Sequence, residues 1–227
     1  MSKNKQIIIS LTSWTKRIGN VKTVIDSLLH QTLQPDYIEL NLSLDEFPNR
    51  EKDLPEELVI LINENKLVEI NWVNGNDGVF KKIIPTLKKF YGEAYYLLSV
   101  DDDWIYRDDY ISLMVGFIEE FDADSFCLAN ANVIGNRQIY KSTCFKKDFW
   151  EKLTQEVIST RIDDSYIEHY LRSHNKKFSH YRPNDTPYIT QKFNQIHPNS
   201  HNTKTGQYSI EDIKKANEII SKIKFDE

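Results

Sequence analysis

"YYLLSVDDDWIY" (residues 95–106) joins a run of strand-forming residues directly to three aspartates, Asp101, Asp102 and Asp103. Adjacent carboxylates repel one another unless a cation, a ligand or open water offsets their charge. An acidic surface turn would meet that condition, and so would a metal site. The position of the run favours the second. In parallel α/β sheets ligands bind beyond the carboxyl ends of the strands, and hard divalent cations take carboxylate oxygens together with substrate phosphates. The triplet is therefore expected to serve a metal or a phosphate-linked ligand.

Upstream of the triplet, strand and helix patterns alternate. "QIIISLT" (6–12) is a β-branched run that reads as a buried strand. In "NVKTVIDSLLHQ" (20–31), Val21, Val24, Ile25, Leu28 and Leu29 form one apolar helical stripe. "YIELNLSL" (37–44) alternates Ile38, Leu40, Leu42 and Leu44 with polar residues, which predicts a strand with one face less covered. A helix over 55–66 opens with Pro55 at its first position, and a strand follows over 67–73. A helical pattern over 79–91 is broken by Pro85, and a fourth strand over 94–100 leads into Asp101. This alternation predicts βαβ units, and hence an α/β, Rossmann-like fold with a mostly parallel central sheet flanked by helices.

Past Asp103 the pattern loosens into a smaller mixed C-terminal region. A helix with an aspartate cap is expected over 108–121, then two strands over 125–134 and 138–145, paired with each other. Helices follow over 147–159 and 164–175, with a strand over 177–182. Residues 183–207 have no periodicity and read as a loop, while Ser209 and Asp212 are spaced as the capping box of a last helix.

Composition sets outer bounds. The 227 residues suit one large domain, or a domain with a smaller appendage, and 40% hydrophobic residues are ample for a folded core. A net charge of −5 argues against a general nucleic-acid binder. Cys127 and Cys144 make no dense disulfide framework, which points to a reducing cytoplasm. The N-terminal apolar run is too short for a signal peptide, and no stretch approaches the ~20 apolar residues of a membrane span.

The remaining strand ends are polar as well. The first leads into Thr12, Ser13, Trp14, Lys16 and Arg17, the second into Asp45, and the third into "NGNDG" (74–78) with Lys81 and Lys82 beyond. Singly, each has an ordinary use as a cap, a turn or a solvated face. Together they suit a base, a ribose, a diphosphate and a metal gathered at one end of a sheet.

Five ordered stretches carry a resemblance. "ISLTSWTKRI" (9–18), "SLLHQTLQPDYIELNLS" (27–43), "FKKIIPTLKKF" (80–90), "SVDDDWIY" (99–106) and "RIDDSYIEHYL" (161–171) resemble the nucleotide-sugar-dependent glycosyltransferases of the GT-A fold. The likeness is to the family 2-like bacterial enzymes that build surface polysaccharides, and it covers roughly residues 5–175. It implies a nucleotide-sugar-binding half over 1–107 and an acceptor-binding, catalytic-base half over 108–227 of the same domain. It implies metal-dependent transfer of a hexose-class sugar from a nucleotide-diphosphate donor, a UDP-sugar first, to a saccharide or lipid-linked glycan hydroxyl, with inversion. Mn²⁺ or Mg²⁺ would be the cofactor. The setting would be the cytoplasm, with peripheral contact at the inner membrane face through the lysines of the last helix.

Carried onto this sequence, Thr12, Ser13 and Arg17 would line the nucleotide pocket and Asp45 would meet the uracil or ribose. Lys82 would lie near the nucleotide or diphosphate, and Asp102 would touch the ribose or sugar. Asp101 and Asp103 would form the outer pair of an Asp-x-Asp motif, Asp103 binding the metal directly, with His197 and His201 as further metal ligands. Asp164, or else Asp163, would take the proton of the acceptor hydroxyl, although capping a helix is the competing use of either. Trp104 beside the triplet would pack by default and is the tryptophan placed to stack on a sugar. Two other readings compete. A sugar-nucleotidyltransferase needs a glycine-rich basic loop, where "LTSWTKRIGN" has one glycine; a non-catalytic carbohydrate- or partner-binding domain would keep only the shell.

Overall fold

The computed structural model describes residues 5–128, 138–181, 191–192 and 209–226. Its strands are β1 (Gln6–Thr12), β2 (Tyr37–Ser43), β3 (Val68–Val73), β4 (Tyr95–Ser99), β5 (Trp104–Ile105), β6 (Ser125–Leu128), β7 (Gln138–Lys141), β8 (Phe178–Tyr181) and β9 (Gln191–Lys192). Its helices are α1 (Val21–Leu29), α2 (Glu56–Glu64), α3 (Ile84–Lys89), α4 (Tyr110–Glu120), α5 (Asp148–Glu151), α6 (Gln155–Thr160), α7 (Asp163–Ser173) and α8 (Ile210–Ile220).

Seven strands form one sheet in the order β3-β2-β1-β4-β7-β6-β8. The β1–β2, β1–β4, β2–β3 and β6–β8 pairs are parallel, and β7 runs antiparallel to both β4 and β6. The expected α/β architecture with a mostly parallel sheet is the one observed. β1 and β4 are mostly apolar because helices cover both faces of the sheet. On one face Ile7, Ile9 and Leu11 pack with Leu40, Leu98 and the buried stripes of α1 and α4. On the other, Ile8 and Leu97 pack with Ile84 and Leu87 of α3 and with Tyr166 and Tyr170 of α7.

The alternation in β2 does not mark a less covered face. Glu39, Asn41 and Ser43 are buried, and α3 supplies the cover. Asn41 Nδ2 donates to Ser10 Oγ at 3.0 Å and to Thr86 Oγ1 at 3.1 Å, and Asn41 Oδ1 accepts from Asn71 Nδ2 at 2.8 Å. Glu39 accepts from the Thr86 hydroxyl and pairs with Lys89 Nζ at 2.9 Å. Burying polar groups is costly only when they go unpaired, so a satisfied network stands where the pattern predicted water.

Smaller departures have local causes. Pro55 is the N-cap of α2, one position before its first turn. Pro85 does break the helical pattern, leaving a 3₁₀ turn over Gly78–Lys82 before α3. The helix expected over 147–159 is two helices, because Thr154 starts α6 by accepting the Val157 N–H at 3.3 Å. Asp109 is the N-cap of α4, but its side chain makes no capping bond. β9 lies inside the expected loop and pairs antiparallel with β5. The capping box at Ser209 and Asp212 forms as expected. Both cysteines are free and buried. Among the described residues no helix is long and apolar enough to cross a membrane.

Candidate active site

β1 and β4 pair in parallel, so their C-terminal ends lie side by side. Beyond β1 the chain turns at Trp14, whose carbonyl accepts the N–H of Arg17 at 2.9 Å and of Ile18 at 3.0 Å. The turn brings Arg17 over the triplet, where Nη2 contacts Asp102 Oδ1 and lies 2.9 Å from Asp103 Oδ2. Ser13 Oγ donates to Asp102 Oδ2 at 2.6 Å. Burial pushes the Asp102 carboxyl up to about 6, against the opposing pull of Arg17 and Ser13. Tyr106 closes the loop that carries the triplet. Its hydroxyl accepts the Asp101 N–H at 2.9 Å and faces the Asp101 carbonyl at 3.3 Å.

The 3₁₀ turn after β3 ends at Lys82, whose carbonyl accepts from Ser10 Oγ. The Lys82 ammonium lies 3.0 Å from Asp101 Oδ1 and 3.0 Å from Asp163 Oδ2. Burial works against its charge, but Asp101, Asp163 and Asp164 outweigh burial and hold its pKa well above the ordinary lysine value. Asp163 and Asp164 open α7, just after a left-handed residue at Arg161 (φ 57°). Neither is the N-cap, which is Ile162. Burial raises both carboxyls above the ordinary range. Lys82 opposes the rise at Asp163, and the neighbouring Asp163 charge adds to it at Asp164. Gln138 Nε2 lies 3.4 Å from Asp164 Oδ1. Both residues line a cavity of about 30 Å³ with Cys127, Glu168 and Phe178, enough room for ordered water.

Ser13, Arg17, Asp102 and Asp103 thus form one set of contacts and Lys82, Asp101 and Asp163 a second, the two meeting at the adjacent residues Asp101 and Asp102, with Asp164 beside Asp163. The other expected residues stand apart. Thr12 lies at the tip of β1 with its hydroxyl on the Asn41 carbonyl at 2.7 Å. Asp45 is exposed just past β2, its N–H on Ser43 Oγ at 3.1 Å. Lys81 turns to Glu46 at 2.5 Å. Trp104 is buried in the core. His197 and His201 lie outside the described residues. Tyr106 and Gln138 are contributors that sequence reasoning missed. Tyr106 shows its role only once the loop is closed, and Gln138 only once β7 is paired.

Four carboxylates, Asp101, Asp102, Asp103 and Asp163, contact two cations here, Arg17 and Lys82. The site is therefore short of positive charge for a diphosphate ligand. Among the described residues no group of three or more His, Cys, Asp or Glu side chains is placed to hold a metal alone. Asp101 and Asp103 have the carboxylate chemistry that hard divalent cations take together with phosphates and water, and each is paired here with a cationic side chain, Lys82 and Arg17 respectively.

No protein-family model matches the chain, and no curated protein matches it. Solved structures do. A mannosyltransferase, PcManGT from Pyrobaculum calidifontis in complex with GDP-Man and Mn²⁺, superposes with a TM-score of 0.56 at 10% identity, over 83% of this chain and 57% of that one. TarS from S. aureus in complex with UDP-GlcNAc superposes with a TM-score of 0.53 at 13% identity, over 81% of this chain and 60% of that one. The fold is GT-A. A 4-diphosphocytidyl-2C-methyl-D-erythritol synthase from Anaerococcus prevotii shares the same frame with a TM-score of 0.51 at 11% identity, over 96% of each chain. The chain thus spans little more than half the length of the two glycosyltransferases. The triplet follows the C-terminal end of β4, and it is beyond the C-terminal ends of the strands that open α/β sheets in general bind ligands.

Proposed function

We propose that this chain is a metal-dependent glycosyltransferase that moves a sugar from a nucleoside-diphosphate donor to a saccharide or lipid-linked glycan hydroxyl, with inversion. One observation carries the reading. Segments distant in sequence converge on the Asp101–Asp103 triplet: Ser13 and Arg17 from beyond β1 hold Asp102 and Asp103, and Lys82 from beyond β3 joins Asp101 to Asp163 at the start of α7. A solvated acidic turn has no reason to recruit buried partners from three other segments.

In this reading Asp103 and Asp101 would hold Mn²⁺ or Mg²⁺, which would supply the positive charge that stabilises a departing nucleoside diphosphate. Arg17 keeps Asp102 and Asp103 in place. Ser13 orients Asp102 toward the ribose or sugar. Asp164 takes the acceptor proton at a carboxylate oxygen, and its raised pKa brings it nearer the value a base needs at neutral pH. Gln138 orients Asp164 through Oδ1. Thr12 and Asp45, at the tips of β1 and β2, would reach the nucleotide. The donor half would end near residue 107. Peripheral membrane contact has weaker support, because α8 exposes Lys214 and Lys215 beside Glu211, Asp212 and Glu218.

Titration calorimetry with UDP and with GDP, each with and without Mn²⁺, tests the reading. The wild type binds one of them in a metal-dependent way, and Asp103→Ala weakens that binding at least about tenfold, some 1.4 kcal/mol. Absence of binding to either nucleotide would favour the non-catalytic carbohydrate- or partner-binding domain. The likeness to the diphosphocytidyl synthase over 96% of each chain supports a second reading, sugar-nucleotidyl transfer. A screen of UDP- and GDP-sugars separates the two, since a glycosyltransferase releases nucleoside diphosphate and a nucleotidyltransferase turns over with pyrophosphate.

A further inference from the structure

Lys82 touches two carboxylates that belong to different parts of the proposed machinery. Asp101 belongs to the donor motif after β4, and Asp163 opens the helix that carries the proposed base. Both contacts are 3.0 Å from the same nitrogen, so Asp101 Oδ1 and Asp163 Oδ2 are no more than 6.0 Å apart. Two buried carboxylates that close repel each other strongly in a low-dielectric site. The Lys82 charge lies between them.

The backbone of Lys82 is fixed independently of its charge. Its carbonyl accepts from Ser10 Oγ, which ties the 3₁₀ turn to the middle of the sheet. The body of α7 is also held independently, through Tyr166, Ile167, Tyr170 and Leu171 in the core. The first turn, where Asp163 and Asp164 stand, is flanked by Ile162 and Tyr166 in that core, but Ile162 offers no capping side chain, and the ion pair to Asp163 comes from Lys82.

We propose that Lys82 is a positioning residue: it fixes the first turn of α7, and with it Asp164, at a set distance from the donor motif. The inference rests on the transferase reading and deepens it. It assigns Lys82 to the geometry between donor and base rather than to donor affinity. An ammonium shared by two carboxylates has little left to offer a diphosphate.

The test compares Lys82→Met, Lys82→Arg, Asp163→Asn and the Lys82→Met/Asp163→Asn pair. The first readout is urea stability. A tie makes the pair about tenfold or more less destabilised, as a folding constant, than the two single losses combined. Additive losses overturn the tie. The second readout is turnover with the donor chosen by the UDP- and GDP-sugar screen, water acting as acceptor. Lys82→Met lowers kcat about tenfold or more while KM stays within about threefold, Asp163→Asn does likewise, and Lys82→Arg recovers much of the loss. A raised KM with unchanged kcat makes Lys82 a donor ligand and overturns the assignment. If Lys82→Met fails to fold, Lys82→Arg and Asp163→Asn still give the kcat and KM split. A screen that selects no donor ends the transferase reading instead, and the stability cycle then decides the tie by itself.

Discussion

Asp164 is pressed toward its neutral form from two directions, by burial and by the charge of Asp163. This has a consequence for stability. A carboxyl whose folded pKa exceeds its unfolded value, ~3.9, leaves the folded state holding more protons than the unfolded state above that pH. Stability therefore falls as pH rises from about 4 through the raised pKa. Asp163 acts in the same sense. Glu69 and Asp212 have lowered pKa values and act oppositely, but only at the acid end of the range. Between pH 5 and 8 Asp164→Asn should gain stability relative to the wild type toward the upper end, since it removes a carboxyl whose folded pKa is raised. The same variant should lose transfer activity. Equal pH slopes in urea titrations of the two proteins would show that Asp164 is not perturbed. At this scale the aspartate triplet was legible, because three adjacent carboxylates after an apolar strand are unusual in themselves. The separation of Lys81 from Lys82 was not, since adjacent residues in a turn point apart and no local pattern says which faces the cleft.

Helix α7 positions the acidic pair, and the end of the chain holds α7. Phe225 packs against Tyr166, His169, Tyr170 and His174, with ring centroids 4.8–5.9 Å away. His169 Nε2 meets the Ile223 carbonyl at 3.0 Å, and the Asp226 N–H donates to Asp148 Oδ2 at 3.1 Å. Asp148 is itself buried beside His174 Nε2 at 3.2 Å. The segment after α8 therefore acts as a strap across α7. Phe225→Ala should cost about 2 kcal/mol, below the ~3–5 of a fully buried phenylalanine because the ring is partly exposed. The neighbouring, exposed Lys224→Ala should stay within about 0.5 kcal/mol of the wild type. Urea titrations showing equal losses for the two would remove the strap. Long, strongly patterned elements such as β1, α1 and α8 were readable from periodicity, because one face of each meets one apolar layer. β5 and β9 were not, being two residues each and defined only by their pairing of Trp104 with Lys192 and Ile105 with Gln191. β2 was misread in part because alternation reports which side chains are polar, and a buried hydrogen-bonded network satisfies polar side chains as well as water does.

At the scale of the molecule, the point at which donor and acceptor halves were divided, near residue 107, is not a seam in the packing. β4 lies before it and β7 after it, and the two pair from Tyr96–Lys141 to Ser99–Gln138. The core on the α1 side takes Ile9, Leu40 and Leu98 from the first half and Ile111, Met114, Ile118 and Phe126 from the second. The core on the α7 side depends still more on the second half, with Tyr140, Phe149, Tyr166 and Tyr170 against Ile8, Leu87 and Leu97. Cut at 107, the first half would keep β3-β2-β1-β4 but lose the helices over much of both faces and the strand paired to β4. An uncovered apolar sheet with a free edge has neither the buried area to offset chain entropy nor protection from edge pairing. Residues 1–107 expressed alone should therefore aggregate or lack near-ultraviolet circular dichroism. The full chain should unfold in urea in one transition, with tryptophan fluorescence and far-ultraviolet circular dichroism coincident. The tryptophans suit this comparison, because Trp72 and Trp104 report on the α1 side and Trp150 on the α7 side. A folded 1–107 fragment, or two separated transitions, would mean that the donor half is a domain in its own right and that the contacts across β4 and β7 only join two finished units.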